Sequence, residues 1–150
     1  MKTIILDSGP LGMIVNPKAK SETTKACQDW FERMLRNGEM IFIPEIVDYE
    51  VRRELIRCNK IQSLQKLYSV QQLTEYIPIT TQAIVRAAEL WAEVRRSGQP
   101  TADSKALDGD VILAAQVLTR FPPLDNPIVA TTNVAHIERF IPAQLWETVD

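Results

Sequence analysis

The sequence is poor in the residues that carry several common chemistries. Its 150 residues include only two cysteines and one histidine. Cys27 and Cys58 lie far apart with no CxxC or CxxH spacing near them, which indicates neither a zinc site nor a disulfide framework, so we expect buried, reduced thiols. The sequence also has no GxSxG motif, which disfavours a Ser-His-Asp hydrolase and predicts a role for His136 as an ordinary surface or core residue.

Long apolar runs and an excess of basic residues are also missing. No segment approaches the roughly 20 apolar residues that span a bilayer, and the N-terminus lacks a signal-peptide pattern, so we expect a cytoplasmic protein with no membrane association. The net charge of −2 argues against a protein that coats nucleic acid through a broad basic field. It does not exclude a local rim of basic residues. With 45% hydrophobic residues, 1–150 should form a single domain.

Short apolar strands alternate with amphipathic helices along the chain. The pattern predicts strands at 2–6, 40–43, 76–79, 128–131 and 145–149. It predicts helices at 10–15, 21–36, 44–58, 61–73, 80–98, 107–121 and 134–140, with a polar loop at 99–106. Because this alternation is typical of βαβ units, we expect an α/β fold, a three-layer α/β/α sandwich with a parallel sheet between helices.

Polar residues follow two of the predicted strands. Asp7 comes directly after the first strand, at the carboxyl end where open parallel sheets form their sites. Taken alone, Asp7 or Ser8 fits the N-cap of the next helix at least as well. Asn133 follows a later strand that ends at Thr131, and it too fits an N-cap. For Asn133 the two roles are compatible.

The predicted helix 44–58 carries two candidate acids. At about 100° per residue, Glu50 and Glu54 both fall inside its apolar arc, where an unpartnered carboxylate is costly. The alternative is that these acids reach solvent or pair with Arg53 and Arg57 at helical spacing. We favour an inward position for Glu50 and ion pairing for Glu54.

The predicted helix 107–121 is apolar almost all round and should therefore be buried. Asp110 lies in its first turn on the side of Ala114, so we expect its carboxylate to point into the protein near the end of the sheet. Asp108 is closer to the rim, where a cap or a partner of the helix dipole is the favoured interpretation. The preceding loop brings Asp103 near Asp110, so both Asp103 and Asp108 are candidate additional ligands.

Three carboxylates in one cleft, from Asp7, Glu50 and Asp110, would repel one another unless a cation lay between them. Oxygen ligands without paired His or Cys favour Mg²⁺ or Mn²⁺ over zinc. Such an ion activates water and neutralises charge on phosphate, so phosphodiester hydrolysis is the natural reaction. Glu50 would orient or deprotonate the attacking water.

Four segments resemble, in order, the motifs of PIN-domain (PilT N-terminus) ribonucleases, particularly the virulence-associated-protein-C-type toxins. They are IILDSGPLG, PEIVDYEVRREL, DGDVILAAQ and IVATTN, and the resemblance covers nearly the whole chain. It implies a five-stranded parallel sheet between helices and Mg²⁺- or Mn²⁺-dependent cleavage of single-stranded RNA. It also implies a homodimer that is silenced by a cognate antitoxin.

The resemblance also implies roles for individual residues. Asp7 and Asp110 would ligate the metal, Glu50 would complete the acidic cluster, and Asn133 would occupy the fourth position. That position is often Asp in the family, so Asn133 removes one ligand charge and puts a two-metal site in doubt. An alternative hypothesis is therefore a catalytically weak module that binds RNA or an antitoxin.

Several residues are candidates for supporting roles around this site. Ser8 and Thr131 are candidates to steady the acidic residues from the strand ends. Arg53 and Arg57 are the basic residues that we expect to contact RNA phosphates, with ordinary solvated charges as the alternative.

Overall fold

Five parallel strands form the centre of the molecule. The structure, a computed structural model, describes residues 1–98 and 104–150. The strands lie in the order β3-β2-β1-β4-β5, and their bounds are β1 Thr3–Leu6, β2 Met40–Pro44, β3 Glu75–Ile77, β4 Ile128–Thr131 and β5 Ala143–Leu145. The flanking helices are α1 Ser8–Ile14, α2 Glu22–Arg36, α3 Glu45–Arg57, α4 Ile61–Leu73, α5 Thr81–Ser97, α6 Ser104–Arg120 and α7 Val134–Glu138. The predicted α/β sandwich with a five-stranded parallel sheet is confirmed.

The central strands are apolar at consecutive positions because helices cover both faces of the sheet. Ile4, Ile5 and Leu6 of β1 are all fully buried, as are Val129 and Ala130 of β4. The chain runs outward from β1 to β2 and β3, and it later returns to place β4 and β5 on the other side of β1. The strand order therefore reverses between β1 and β4, which is where open parallel sheets bind ligands.

Several element boundaries differ from the sequence prediction by one to three residues: the first helix begins at Ser8, β3 ends at Ile77, and α7 ends at Glu138. The last strand and α6 differ in ways that bear on the core and on the site. The last strand is Ala143–Leu145, and a 3-10 turn at Trp146–Thr148 follows it in place of the predicted strand 145–149. Trp146 and Val149 are both buried, so their apolar character reflects packing of the turn against the core. Helix α6 already begins at Ser104, within the predicted loop 99–106, so Asp110 lies beyond its first turn. The rest of that loop lies outside the described residues.

Buried polar groups tie α3 to its neighbours. The Gln116 side chain on α6 accepts a hydrogen bond from the Ile46 backbone N–H (3.1 Å) and donates one to the Ile77 carbonyl (2.6 Å). On the other side of α3, Asp48 is buried and accepts hydrogen bonds from Arg52 (2.9 Å) and from Gln71 of α4 (2.8 Å). These bonds fix where α3 lies between α4 and α6.

The two cysteines behave differently. Cys27 is a buried free thiol, as predicted, whereas Cys58 is exposed. The prediction of burial is wrong for Cys58 because this residue follows the last turn of α3, which projects away from the core. Of the helices that the structure describes, none is long and apolar enough to cross a membrane.

Candidate active site at the carboxyl end of the sheet

Asp7 is fixed between two elements at the end of β1. Its backbone N–H donates to the Ala130 carbonyl of β4 (3.1 Å). Its Oδ1 accepts a hydrogen bond from the Ser8 N–H (2.8 Å), and its Oδ2 accepts one from the buried Thr131 hydroxyl (2.7 Å). The Thr131 oxygen in turn accepts from the Asn133 N–H at 3.0 Å. Asp7 is therefore the N-cap of α1 and also points along a defined direction at the sheet edge.

A cavity of about 260 Å³ lies at this edge. Three acidic residues line it and come from separate segments: Asp7 follows β1, Glu50 lies on α3, and Asp110 lies on α6. The other lining residues are Ser8, Gly9, Ala106, Gly109, Thr132, Asn133, His136 and Ile137. The structure thus brings together the three carboxylates and the Asn133 that the four sequence motifs predict.

Two glycines allow the walls of the cavity to come close together. A Cβ atom at Gly109 would lie 2.7 Å from Oε2 of Glu50, and a Cβ at Gly9 would lie 2.7 Å from Oγ1 of Thr132. Both separations are far shorter than an ordinary van der Waals contact. The glycine beside Asp110 therefore lets α6 approach the Glu50 carboxylate directly.

Burial and mutual repulsion favour the protonated forms of two of the acids. The pKa of Glu50 is raised to about 7, first by burial and then by the charge of Asp7, with Arg53 opposing the shift and Asp110 adding to it. The pKa of Asp110 is also raised to about 7, by burial and by Asp7, with Arg139 opposing. The cavity therefore concentrates negative charge that its own side chains do not neutralise.

Asp110 has an oxygen that no described residue satisfies. Its Oδ2 is enclosed and accepts no hydrogen bond from 1–98 or 104–150. The nearest cation-forming group is Nδ1 of His136, at 3.6 Å, which is longer than a hydrogen bond. A buried acceptor without a donor is costly, which favours a ligand at this oxygen.

The donor set fits a hard divalent cation. In the described part of the chain no three His, Cys, Asp or Glu side chains lie close enough together to form a complete metal cage. Mg²⁺, however, usually binds one or two carboxylates and keeps several waters. Asp7 and Asp110 match that requirement, because both line the cavity and the Oδ2 of Asp110 has no hydrogen-bond partner among the described residues. Mn²⁺ accepts the same oxygen ligands.

Two of the remaining candidate acids, Glu54 and Asp108, lie outside the cavity. Glu54 is exposed and pairs with Arg57 at 2.7 Å, in agreement with the ion-pair alternative. Its position in the apolar arc does not bury it, because no residue of α3 beyond Val51 is fully buried. Asp108 is exposed and lines a groove between α5 and α6 instead. Asp103 lies outside the described residues.

Sequence reasoning missed two residues that the structure places near Asp110. His136 lines the cavity, so it is not the unrelated surface or core histidine that we predicted. Its spacing of three residues from Asn133 at the start of α7 is the signal that could have placed both on one side of that short helix. The Arg139 guanidinium lies close enough to lower the pKa of Asp110.

The fold and the cavity together define an α/β protein with an acidic site where the order of its parallel strands reverses. The sequence matches the family model of the PIN domain over residues 4–120. The chain belongs to the PIN domain family. This confirms the family resemblance, and the first three of the four motifs lie within the matched residues, whereas IVATTN at 128–133 follows them. A comparison with curated proteins finds no match to the chain.

Three solved structures have similar folds. The chain from a crystal structure of VapBC2 from Rickettsia felis, bound to a DNA fragment from their promoter, has a TM-score of 0.69 and 17% identity, with 95% of this chain and 97% of that chain covered. A chain of DNA-bound VapBC from Salmonella typhimurium has a TM-score of 0.60 and 23% identity, with 97% and 99% covered. A chain of VapBC-1 from nontypeable Haemophilus influenzae has a TM-score of 0.57 and 13% identity, with 97% and 99% covered. At these identities the likeness establishes a shared fold.

Proposed function

We propose that this chain is a Mg²⁺- or Mn²⁺-dependent endoribonuclease that hydrolyses phosphodiester bonds of single-stranded RNA. The observation that carries the proposal is the convergence of Asp7, Glu50 and Asp110 on one cavity, where the buried Oδ2 of Asp110 has no hydrogen-bond donor among the described residues. Membership of the PIN family supports the same reaction class.

The residues of the cavity have different roles in the proposed reaction. Asp7 and Asp110 would hold the cation, and the hydrogen bonds from Ser8 and Thr131 would keep the Asp7 carboxylate in one orientation. The bound ion would supply a Lewis acid that makes water easier to deprotonate and offsets charge on the phosphate. Glu50 would orient or deprotonate the attacking water, because it lines the same cavity as the two acids that would hold the ion.

We further propose that the chain acts in the cytoplasm as the toxin of a type II toxin–antitoxin pair and that it forms a homodimer. The support is the likeness of its fold to chains from three VapBC structures. A small protein encoded next to this chain should then bind it and suppress cleavage. Co-purification of the two proteins, followed by a cleavage assay of the complex, tests the antitoxin, and light scattering of the chain alone tests the dimer.

Asp7→Asn is the most direct test of the nuclease. The purified chain should cleave single-stranded RNA with Mn²⁺, and the variant should lose at least about 100-fold in rate, because it removes one charge that would hold the ion. Asp125→Asn is the matched control, since this exposed acid precedes β4 at the amino end of the strands, away from the cavity at their carboxyl end. Equal cleavage by wild type and Asp7→Asn would exclude this cavity as the active site.

The second candidate function is a catalytically weak module that binds RNA or an antitoxin. The observation in its favour is the fourth position, where an exposed Asn133 with no side-chain capping bond stands in place of a further acid. Thermal unfolding with and without Mn²⁺ separates the two candidates. A rise in unfolding temperature that Asp110→Asn removes supports the nuclease, whereas no shift and no cleavage support the module.

A further inference from the structure

An aromatic and cationic pair lies beside the acidic cavity on α3. Tyr49 precedes Glu50 and is 55% exposed. The guanidinium carbon of Arg53 lies 5.0 Å from the centre of the Tyr49 ring. Arg53 follows Glu50 by one helical turn, and its charge lowers the pKa of that carboxyl against the effect of burial. Arg53 therefore lies close both to the exposed ring and to Glu50, which lines the cavity.

This arrangement has the two chemical elements that bind a nucleotide of single-stranded nucleic acid. An exposed aromatic ring stacks on bases of any sequence, and an arginine beside it contacts the backbone phosphate. A large exposed ring next to a polar cavity also gains buried area when a base covers it. Both elements are held on one rigid helix, so their distance from Glu50 is fixed.

Other arginines and aromatic rings of the described chain fit this role less well. Arg57, also on α3, already pairs with Glu54 at 2.7 Å. Trp91 and Arg95 on α5 have a similar stacked geometry (5.1 Å), but Trp91 lines a groove that shares no lining residue with the acidic cavity. Arg139 is close to Asp110 and lies 5.0 Å from the centre of the Phe140 ring, but that ring is half-buried. The pair on α3 combines an exposed ring with an arginine close to a cavity carboxylate.

We propose that Tyr49 and Arg53 form a nucleotide subsite, in which Tyr49 stacks on a base next to the bond to be cleaved and Arg53 contacts the adjoining phosphate. The ligand class is single-stranded RNA, because the bases of a duplex are already stacked and cannot cover the ring. This inference rests on the proposed nuclease function and adds how the RNA is placed against Glu50.

The test measures binding of a labelled single-stranded RNA in the Asp7→Asn background, in which we expect cleavage to be at least about 100-fold slower. Tyr49→Leu keeps an apolar side chain but removes the ring, so affinity should fall about tenfold, whereas Tyr49→Phe should restore it. Arg53→Gln should weaken binding and reduce the slope of affinity against salt by about one. The controls are Tyr68→Leu on α4 and Arg36→Gln, which lies before β2 at the amino end of the sheet. Neither control should change the affinity or its slope against salt.

A second arm uses RNAs in which one nucleotide at a time lacks its base. If Tyr49 stacks on a particular base, Tyr49→Leu should weaken binding of the intact RNA but not of the RNA that lacks that base. Affinity that is unchanged in Tyr49→Leu would overturn the subsite. A change of oligomeric state in Tyr49→Leu without a base-specific loss of affinity would also overturn the subsite, because the ring would then belong to a protein interface.

The subsite and the nuclease can fail separately. If wild type cleaves RNA and Asp7→Asn does not, but Tyr49→Leu binds and cleaves normally, the nuclease stands and the subsite is wrong. If no metal-dependent cleavage occurs but the base-specific loss in Tyr49→Leu persists, the nuclease is wrong and the subsite describes an RNA-binding module.

Discussion

Asp7 is the N-cap that its sequence context allows, and it also lines the acidic cavity. One carboxylate oxygen caps α1 through the Ser8 N–H, and the other receives the Thr131 hydroxyl from the end of β4. The sequence places an acid after a strand, but the partner of that acid lies 124 positions away and becomes visible only when β1 and β4 are paired. The same pairing explains why Thr131 is buried although it is polar.

The raised pKa values of Glu50 and Asp110, both about 7, make a prediction about stability. Each group binds its proton more tightly in the folded chain than in the unfolded chain, where Glu has a pKa near 4.5 and Asp near 3.8. The free energy of unfolding of the metal-free protein should therefore fall as the pH rises from about 4.5 to about 7 and level off above that.

Glu50→Gln tests this linkage. The variant should lose less stability than wild type between about pH 5 and about pH 8, and it should be the more stable of the two at the higher pH, because one repelled charge is gone. Urea unfolding at both pH values in a chelator measures the effect, with Glu93→Gln on the exposed side of α5 as the control. The same pH dependence in Glu50→Gln and wild type would contradict the assigned electrostatics.

At the scale of elements, the positions of α3 and α6 determine the site. The hydrophobic pattern predicts both helices and the inward direction of Glu50 and Asp110, because these acids interrupt apolar faces. It does not predict the buried Gln116 that links α6 to the first turn of α3, since a single polar residue in an apolar helix has no unique partner in the sequence. It also places the start of α6 too late, because Ser104 and the next residues lack the apolar period of the helix interior.

Gly109→Ala tests the close contact between these helices. A methyl group there would lie 2.7 Å from Oε2 of Glu50, and the carboxylate must move to admit it. Because alanine is the better helix former by about 0.5–1 kcal/mol, the variant should be at least as stable as wild type, but its cleavage rate should fall at least about tenfold as Glu50 is displaced.

Gly12→Ala is the matched control for that variant. Gly12 lies in α1, and a Cβ atom there would meet no atom within 4 Å. It should gain similar stability while it keeps the full cleavage rate. Urea unfolding and RNA cleavage, measured on both variants, separate the two effects. Full activity in Gly109→Ala would mean that the position of Glu50 does not matter for the reaction.

At the scale of the whole molecule, the order of the sheet explains why residues so far apart in the sequence meet. The strand order reverses between β1 and β4, and residues that follow each of these two strands line the cavity. Alternation of strands and helices predicts the parallel sheet, and the carboxyl-edge rule then predicts where Asp7 and Asn133 lie. Neither rule predicts the position of His136, because its place in the cavity depends on how α7 packs after β4 has ended.

Titration of Mn²⁺ into metal-free wild type and Asp110→Asn, with the rate of single-stranded RNA cleavage as the readout, decides whether this cavity holds a catalytic metal ion. We expect no cleavage in chelator, a saturable rise with Mn²⁺ in wild type, and a loss of at least about 100-fold in the variant, because the buried Oδ2 of Asp110 has no hydrogen-bond partner among the described residues. Cleavage by wild type in chelator, or the same Mn²⁺ dependence in Asp110→Asn, would contradict this expectation.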